Sequence, residues 1–154
     1  MFKPCILIPV YKHVEALAGF AEVFAHVPVI IVDDGNDDKE ALKELAEKYG
    51  AHLLLNERNL GKGAAVLNGF REAMKLGYTH ALQVDGDNQH NTDAIKVFLS
   101  KAESFPDRLI NSYPVYDASA QAIRQHGRKL TNFWVRLETR SDAIRDAMCG
   151  FRVY

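Results

Sequence analysis

The sequence predicts an α/β fold with a mostly parallel central sheet and helices on both faces. Short β-rich runs alternate with amphipathic helical patterns four times, joined by short links, which is the mark of βαβ units. The strand runs are continuously apolar, as expected when helices cover both faces of a sheet. Acidic clusters close two of these runs, at the sheet edge where parallel α/β folds bind ligands.

In chain order, Cys5–Val10 reads as a buried strand, and Val14–Ala25 carries apolar residues at helical spacing. Val29–Val32 is a second strand running into Asp33. Asp38–Tyr49 is a helix, with Gly50 as its C-terminal stop. Leu53–Leu55 is a third strand, Gly61–Leu76 a helix stopped by Gly77, and His80–Val84 a fourth strand. Thr92–Ala102 is a helix capped by Asn91 or Thr92, and Leu109–Asn111 a fifth strand. Tyr113–Ser119 reads as a loop and Ala120–Ile144 as helical. In that last stretch Leu130, Phe133, Trp134 and Leu137 form one stripe, read first as packing on the sheet and second as a surface for lipid or another domain. The chain stops at Val153-Tyr154, inside what reads as a strand, so a single domain over residues 1–154, truncated at its C-terminus, is expected.

The 154 residues are enough to bury a real core, and 47% hydrophobic with 25% charged residues is an ordinary globular balance. A net charge of −1 argues against a general nucleic-acid binder. Residues 1–118 hold 12 Lys and Arg against 17 Asp and Glu, whereas residues 119–154 hold 7 against 3. The basic final segment suits a phosphate or an anionic membrane surface, and equally a solvated helix face. Two cysteines, Cys5 and Cys149, make neither a disulfide framework nor a zinc site, which favours a reducing compartment. The N-terminal apolar stretch is too short for a signal peptide, and no apolar run approaches the roughly 20 residues that span a bilayer.

Pro9-Val10-Tyr11 closes strand one, Asp33-Asp34-Gly35 strand two, Asn56 strand three and Asp85-Gly86-Asp87 strand four. Asp33, Asp34, Asp85 and Asp87 are therefore expected to converge on one crevice. Carboxylates brought close repel unless something compensates, and a hard divalent cation, Mg²⁺ or Mn²⁺, does so with oxygen ligands. Gly86 permits close backbone approach, and Gln89 and His90 follow. Either acidic pair alone is ordinary turn chemistry, and it is their joint placement that points to a site. Gly61-Lys62-Gly63 opens a helix and offers free N–H groups to an anion, or is a plain helix start. It is neither a P-loop nor a full dinucleotide fingerprint, because Val66 stands at the third glycine position. No His-Glu-x-x-His spacing and no nucleophile elbow occur.

Taken in order, Ile8-Pro9-Val10-Tyr11, Val32-Asp33-Asp34-Gly35, Asn59-Leu60-Gly61-Lys62-Gly63, Val84-Asp85-Gly86-Asp87-Asn88-Gln89-His90 and Asp146-Ala147-Met148-Cys149-Gly150-Phe151-Arg152 resemble family 2 inverting glycosyltransferases. The likeness is to enzymes of the dolichyl-phosphate mannose synthase and polyprenyl-phosphate sugar transferase kind, and it runs from about residue 5 to the end. It implies a Rossmann-like glycosyltransferase A-type fold and transfer from a UDP- or GDP-sugar to a polyprenyl phosphate or glycan, in envelope polysaccharide or glycolipid synthesis. By the same resemblance Pro9 and Tyr11 line the nucleotide pocket, Asp33 bonds the base with Asp34 close by, and Lys62 lies near the nucleotide. Asp85 and Gly86 meet the ribose or sugar side, Asp87 ligates Mg²⁺ or Mn²⁺, and Gln89 supports that site. Asp146 is the candidate general base, or a positioning group if the acceptor is an ionised phosphate, and Arg152 faces an acceptor or donor phosphate. A cytoplasmic protein, peripheral at the inner face of a membrane, is the corresponding expectation.

The chain departs from that family at Lys12 and His13, where Asn and often Glu follow the Tyr, and the family continues past Gly-Phe-Arg with acceptor-binding segments. Two other classes stand beside this reading. Phosphatases of the haloacid dehalogenase type carry Asp-x-Asp on strand one followed by Thr or Val, whereas here the pair follows strand four and precedes Asn88. A non-catalytic nucleotide-binding domain is the third class, against which the retained Asp85, Asp87 and Asp146 argue.

Overall fold

A computed structural model describes residues 1–12, 14–21, 25–86, 93–113, 122–147 and 149–154. Among the described residues, six strands form one sheet: β1 (Pro4–Val10), β2 (Val29–Asp33), β3 (His52–Leu55), β4 (His80–Gln83), β5 (Ile110–Asn111) and β6 (Arg152–Val153). Their spatial order is β3-β2-β1-β4-β6-β5. β1, β2, β3 and β4 run parallel, while β6 lies antiparallel between β4 and β5. The expected mostly parallel α/β sheet is therefore the architecture, and the C-terminal strand inserts into it.

The strands are continuously apolar because both faces are covered. Along β1, Ile6, Ile8 and Val10 enter one cluster with Leu17, Phe20, Leu42 and Ile95. Cys5 and Leu7 enter the other with Ile30, Val32, Ala65 and Ala73. Burial pushes the Cys5 thiol up to about 12, so it is a core group with no nucleophile at neutral pH.

Helix α1 (Lys39–Tyr49) starts at Asp38, whose carboxylate accepts from the Ala41 N–H at 3.0 Å, and stops at Gly50 in the left-handed region. Helix α2 (Lys62–Lys75) buries Ala65, Val66, Gly69 and Ala73, small residues that let it lie close on the sheet. A Cβ at Gly69 would sit 2.3 Å from Leu7 Cδ1 and 2.8 Å from Val32 Cγ2. Helix α3 (Asp93–Ser104) covers the opposite face through Ile95 and Ala102. Helix α4 (Ala122–Thr139) follows, and Arg140 at φ 49° lies just beyond it.

Two expectations change. The helix expected over Val14–Ala25 begins as a 3₁₀ helix at Val14–Phe20 and is α-helical at Ala21, with residues 22–24 outside the described residues. Its buried residues, Leu17 and Phe20, are three apart, which suits three residues per turn. The stripe on α4 does not pack on the sheet: Leu130, Phe133, Trp134 and Leu137 are 62%, 58%, 52% and 57% exposed. The sheet face at β4 and β6 is covered by α3, with Phe151 of the C-terminal segment packed edge-on to Phe98 at 4.6 Å. No helix among the described residues is long and apolar enough to cross a membrane.

Gly69→Val is expected to destabilise the fold by about 2 kcal/mol through overpacking between α2 and β1. Gly63→Ala, with nothing within 4 Å, should stabilise it slightly. Urea titration of both variants checks this, and equal midpoints would contradict the close helix–sheet contact.

Candidate functional site

The order of strands reverses direction at β1, which has β2 on one side and β4 on the other. Such a switch point is where open α/β sheets bind ligands. The β1–β4 ladder ends at Leu7 opposite Gln83, while the β1–β2 ladder continues to Val10 opposite Asp33. In a parallel strand each residue points its N–H and C=O to the same neighbour. Leu7 O accepts from Val84 N at 2.9 Å, so Pro9, two residues on, also faces β4. Having no N–H, Pro9 cannot extend that ladder. A Cβ at Gly86 would lie 3.1 Å from Pro9 O, so glycine lets the chain after β4 pass close by.

A cleft of about 260 Å³ opens there. Pro9, Val10, Tyr11 and Lys12 line it from the end of β1, Asp34 from the end of β2, Asn59, Gly61 and Lys62 from the start of α2, and Asp85 and Gly86 from the end of β4. The Lys62 ammonium pairs with Asp85 Oδ1 at 2.6 Å, the side chains being 55% and 24% exposed. A pair this wet adds at most about 1 kcal/mol to stability, so the charges remain available to a ligand.

The two neighbouring aspartates divide their work. Asp34 lines the cleft, and its Oδ1 accepts from Leu60 N at 2.9 Å and Asn56 Nδ2 at 3.4 Å. That ties the approach to α2 to the end of β2. Asp33 does not reach the cleft lining: it is fully buried, and its Oδ1 accepts from Asn36 N at 2.9 Å and Asn36 Nδ2 at 2.6 Å. Of the four aspartates expected in one crevice, Asp34 and Asp85 line the cleft and Asp33 turns inward, while Asp87 lies outside the described residues. Gly35, at φ 81°, lets this turn press against the next loop, where a Cβ would meet Asn59 N at 2.3 Å and the Arg58 carbonyl carbon at 2.4 Å.

The C-terminal segment closes the β4 side. A Cβ on Gly150 would stand 2.4 Å from Asp85 Oδ1 and 2.5 Å from Oδ2, so bare backbone lies against that carboxylate. Asp146, nearly buried, begins this segment, and its carbonyl accepts from Asn111 Nδ2 at 2.9 Å. Neither Asp146 nor Arg152 lines the cleft. Arg152 sits in β6 opposite Gln83 and Asn111, and its guanidinium donates to the Ala147 carbonyl. Cys149 Sγ lies 2.8 Å from Ser112 Oγ, whose hydroxyl donates to Phe151 O at 2.7 Å.

Pro9, Tyr11, Asp34, Lys62, Asp85 and Gly86 are thus brought together as the sequence suggested. The proposed metal residues Asp87 and Gln89 fall outside the described residues, among which no three His, Cys, Asp or Glu cluster for a metal. Sequence reasoning passed over Lys12, Asn36, Asn59 and Gly150 as contributors. Asn36 and Asn59 sit in loops that directly follow the quoted strand ends, and that position was the available signal.

Residues 5–153, nearly the whole chain, match glycosyl transferase family 2. The chain belongs to glycosyl transferase family 2. An uncharacterised Methanocaldococcus jannaschii protein is 30% identical, over 82% of this chain and 59% of its own. Polyprenol monophosphomannose synthase of Mycolicibacterium smegmatis is 29% identical, over 71% of this chain and 44% of its own. Dolichol-phosphate mannosyltransferase of Pyrococcus furiosus is 26% identical, over 71% and 33%. This chain thus spans about half the length of the first relatives or less. The fold agrees with the 1–349 fragment of S. aureus TarS at a TM-score of 0.56 and 19% identity, over 76% of this chain and 39% of that one. The family and this fold match bear out the glycosyltransferase A-type architecture.

Gly35→Ala is expected to cost about 3 kcal/mol, since φ 81° is strained for alanine and the clashing atoms are backbone. Chemical denaturation measures it, and a loss below that of an ordinary surface substitution would contradict the close contact between the two loops.

Proposed function

We propose that this chain is the donor-binding part of an inverting glycosyltransferase. It would move a sugar from a UDP- or GDP-sugar to a polyprenyl phosphate or related glycan acceptor. The observation that carries this reading is the cleft at the β1/β4 switch point, with Asp34 and Asp85 on its walls and Lys62 beside them, in a chain of this family. The relatives named as polyprenol and dolichol-phosphate mannose transferases support the lipid-phosphate class of acceptor.

In this reading the Tyr11 ring and the Lys12 stem form the wall for the base. Asp34, not the inward-turned Asp33, supplies the carboxylate that meets it. Lys62 can turn from Asp85 to a diphosphate. Asp85 brings hard oxygen donors to the cleft and Asp87 follows two residues on, a donor set that fits Mg²⁺ or Mn²⁺. When bound, the cation would neutralise charge on the departing diphosphate.

The acceptor oxygen forms its bond to the anomeric carbon as the bond to the diphosphate breaks, and the nucleoside diphosphate leaves. Asp146 would take the acceptor proton, a contribution typically of about 10²–10⁴-fold, or would position an acceptor phosphate already ionised. Gly150 in the same segment lies on Asp85, which links the acceptor-side loop to the donor side.

The surface of α4 fits peripheral association with a membrane. Leu130, Phe133, Trp134 and Leu137 form an exposed apolar stripe, bordered along one edge of the helical projection by Lys129 and Arg136, in a segment of net positive charge. An amphipathic helix of this type lies in the interfacial plane of an anionic bilayer.

UDP or GDP with Mn²⁺ is expected to raise the melting temperature, and Asp85→Ala or Asp87→Ala to abolish the rise. No shift with either nucleotide in the parent chain would overturn the reading. Vesicles containing phosphatidylglycerol should shift the emission of Trp134, the single tryptophan, to shorter wavelength, and Phe133→Ser should weaken binding. Equal binding of parent and variant in co-sedimentation would remove the α4 stripe from the membrane reading.

A further inference from the structure

We propose that Asn36 is a positioning residue. It ties the Tyr11–Lys12 turn after β1 to the Asp33 carboxylate at the end of β2, and thereby sets one wall of the cleft. Its consequence for ligands rests on the nucleotide-binding reading above, whereas the tie itself does not.

Asn36 is 7% exposed and does not line the cleft, so it acts through the groups it holds. Its Oδ1 accepts from the Lys12 N–H. Its Nδ2 donates to Val10 O at 3.1 Å and to Asp33 Oδ1 at 2.6 Å. Its own backbone N–H donates to that same Asp33 oxygen at 2.9 Å. One short amide thus joins three points: the last residue of β1, the first residues of the turn beyond it, and a buried carboxylate on β2.

The held turn is strained. Lys12 has φ 58°, a region that side chains other than glycine rarely adopt, so something must fix it there. The N–H of this residue is the group that Asn36 captures. On the other side of the turn, Tyr11 is 45% exposed, and the Lys12 ammonium lies 5.1 Å from the centre of its ring. Both residues line the cleft. The position of that ring and that charge therefore depends on an amide that never touches the ligand.

The chemistry requires an amide. A group here must accept from Lys12 and donate to two oxygens, which only a side-chain carboxamide does at this length. Aspartate would place a second carboxylate against Asp33, and serine is too short to bridge to the turn. Asp33, expected from the sequence to meet a base, acts instead as the anchor of this tie.

The test is amide hydrogen exchange combined with calorimetric titration of UDP and GDP. Asn36→Ala and Asn36→Ser are compared with Ala46→Gly, a helix substitution remote from the cleft that lowers stability alone. In both Asn36 variants the Lys12 amide should exchange at least about tenfold faster while those of Ile6 and Ile8 are unchanged. The nucleotide Kd should rise about tenfold. Ala46→Gly should lower the melting temperature and change neither. An unchanged Lys12 amide overturns the tie, and a Kd raised equally by Ala46→Gly overturns its positioning role. If the parent chain binds neither nucleotide while the Lys12 amide still responds, the tie is supported and the nucleotide-binding reading fails.

Discussion

The carboxyl edge of the sheet depends on β1 and β4 parting after Leu7 and Gln83. Up to that point β1 is a central strand with ladders on both sides. Beyond it, only the β2 ladder continues. Pro9 enforces the separation, because its ring removes the donor that would bond toward β4. Gly86 then lets the β4 loop pass over the Pro9 carbonyl without filling the gap. One missing N–H and one missing Cβ thus keep open the space that Asp34, Lys62 and Asp85 border.

Around that gap the protein uses buried amides in place of buried charge pairs. Asn36 joins β1 to β2. Asn56 bridges Asp34 and Asn68, which sits on α2, at 3.4 and 3.1 Å. A hydrogen-bonded amide needs no counterion and carries donor and acceptor together, so it sets geometry at lower desolvation cost than an ion pair. The ion pair of Lys62 with Asp85 at the cleft is left partly wet. The rigid ties of the edge are therefore buried amides bonded to the buried Asp33 and Asp34 carboxylates, and the Lys62–Asp85 pair is the accessible charge. That division suits a surface that must meet an anion without being remade by it.

The C-terminal segment ties the two halves of the sheet together. β6 enters between β4 and β5, so residues at the end of the chain are required to complete the sheet beside the cleft. Its approach carries Asp146 and places the Gly150 backbone on Asp85. Earlier in the chain, α4 carries an uncovered apolar stripe.

Local patterns determined much of this from the sequence alone. Apolar runs identified β1 to β4, Asp38, Gly50 and Gly77 marked helix ends, and Asp34, Lys62, Asp85 and Gly86 could be assigned to one edge because strand polarity alone decides which loops meet there. The family motifs spanned the same positions. Tertiary structure decided what periodicity could not encode. Asp33 and Asp34 are identical neighbours in sequence, and only the capture of Asp33 by Asn36 turns one inward. The α4 stripe has the spacing of a packed helix, and only the tertiary structure shows it exposed. A two-residue strand such as β6 has too few residues to show a period, so its place between β4 and β5 follows from the partners that its backbone groups find.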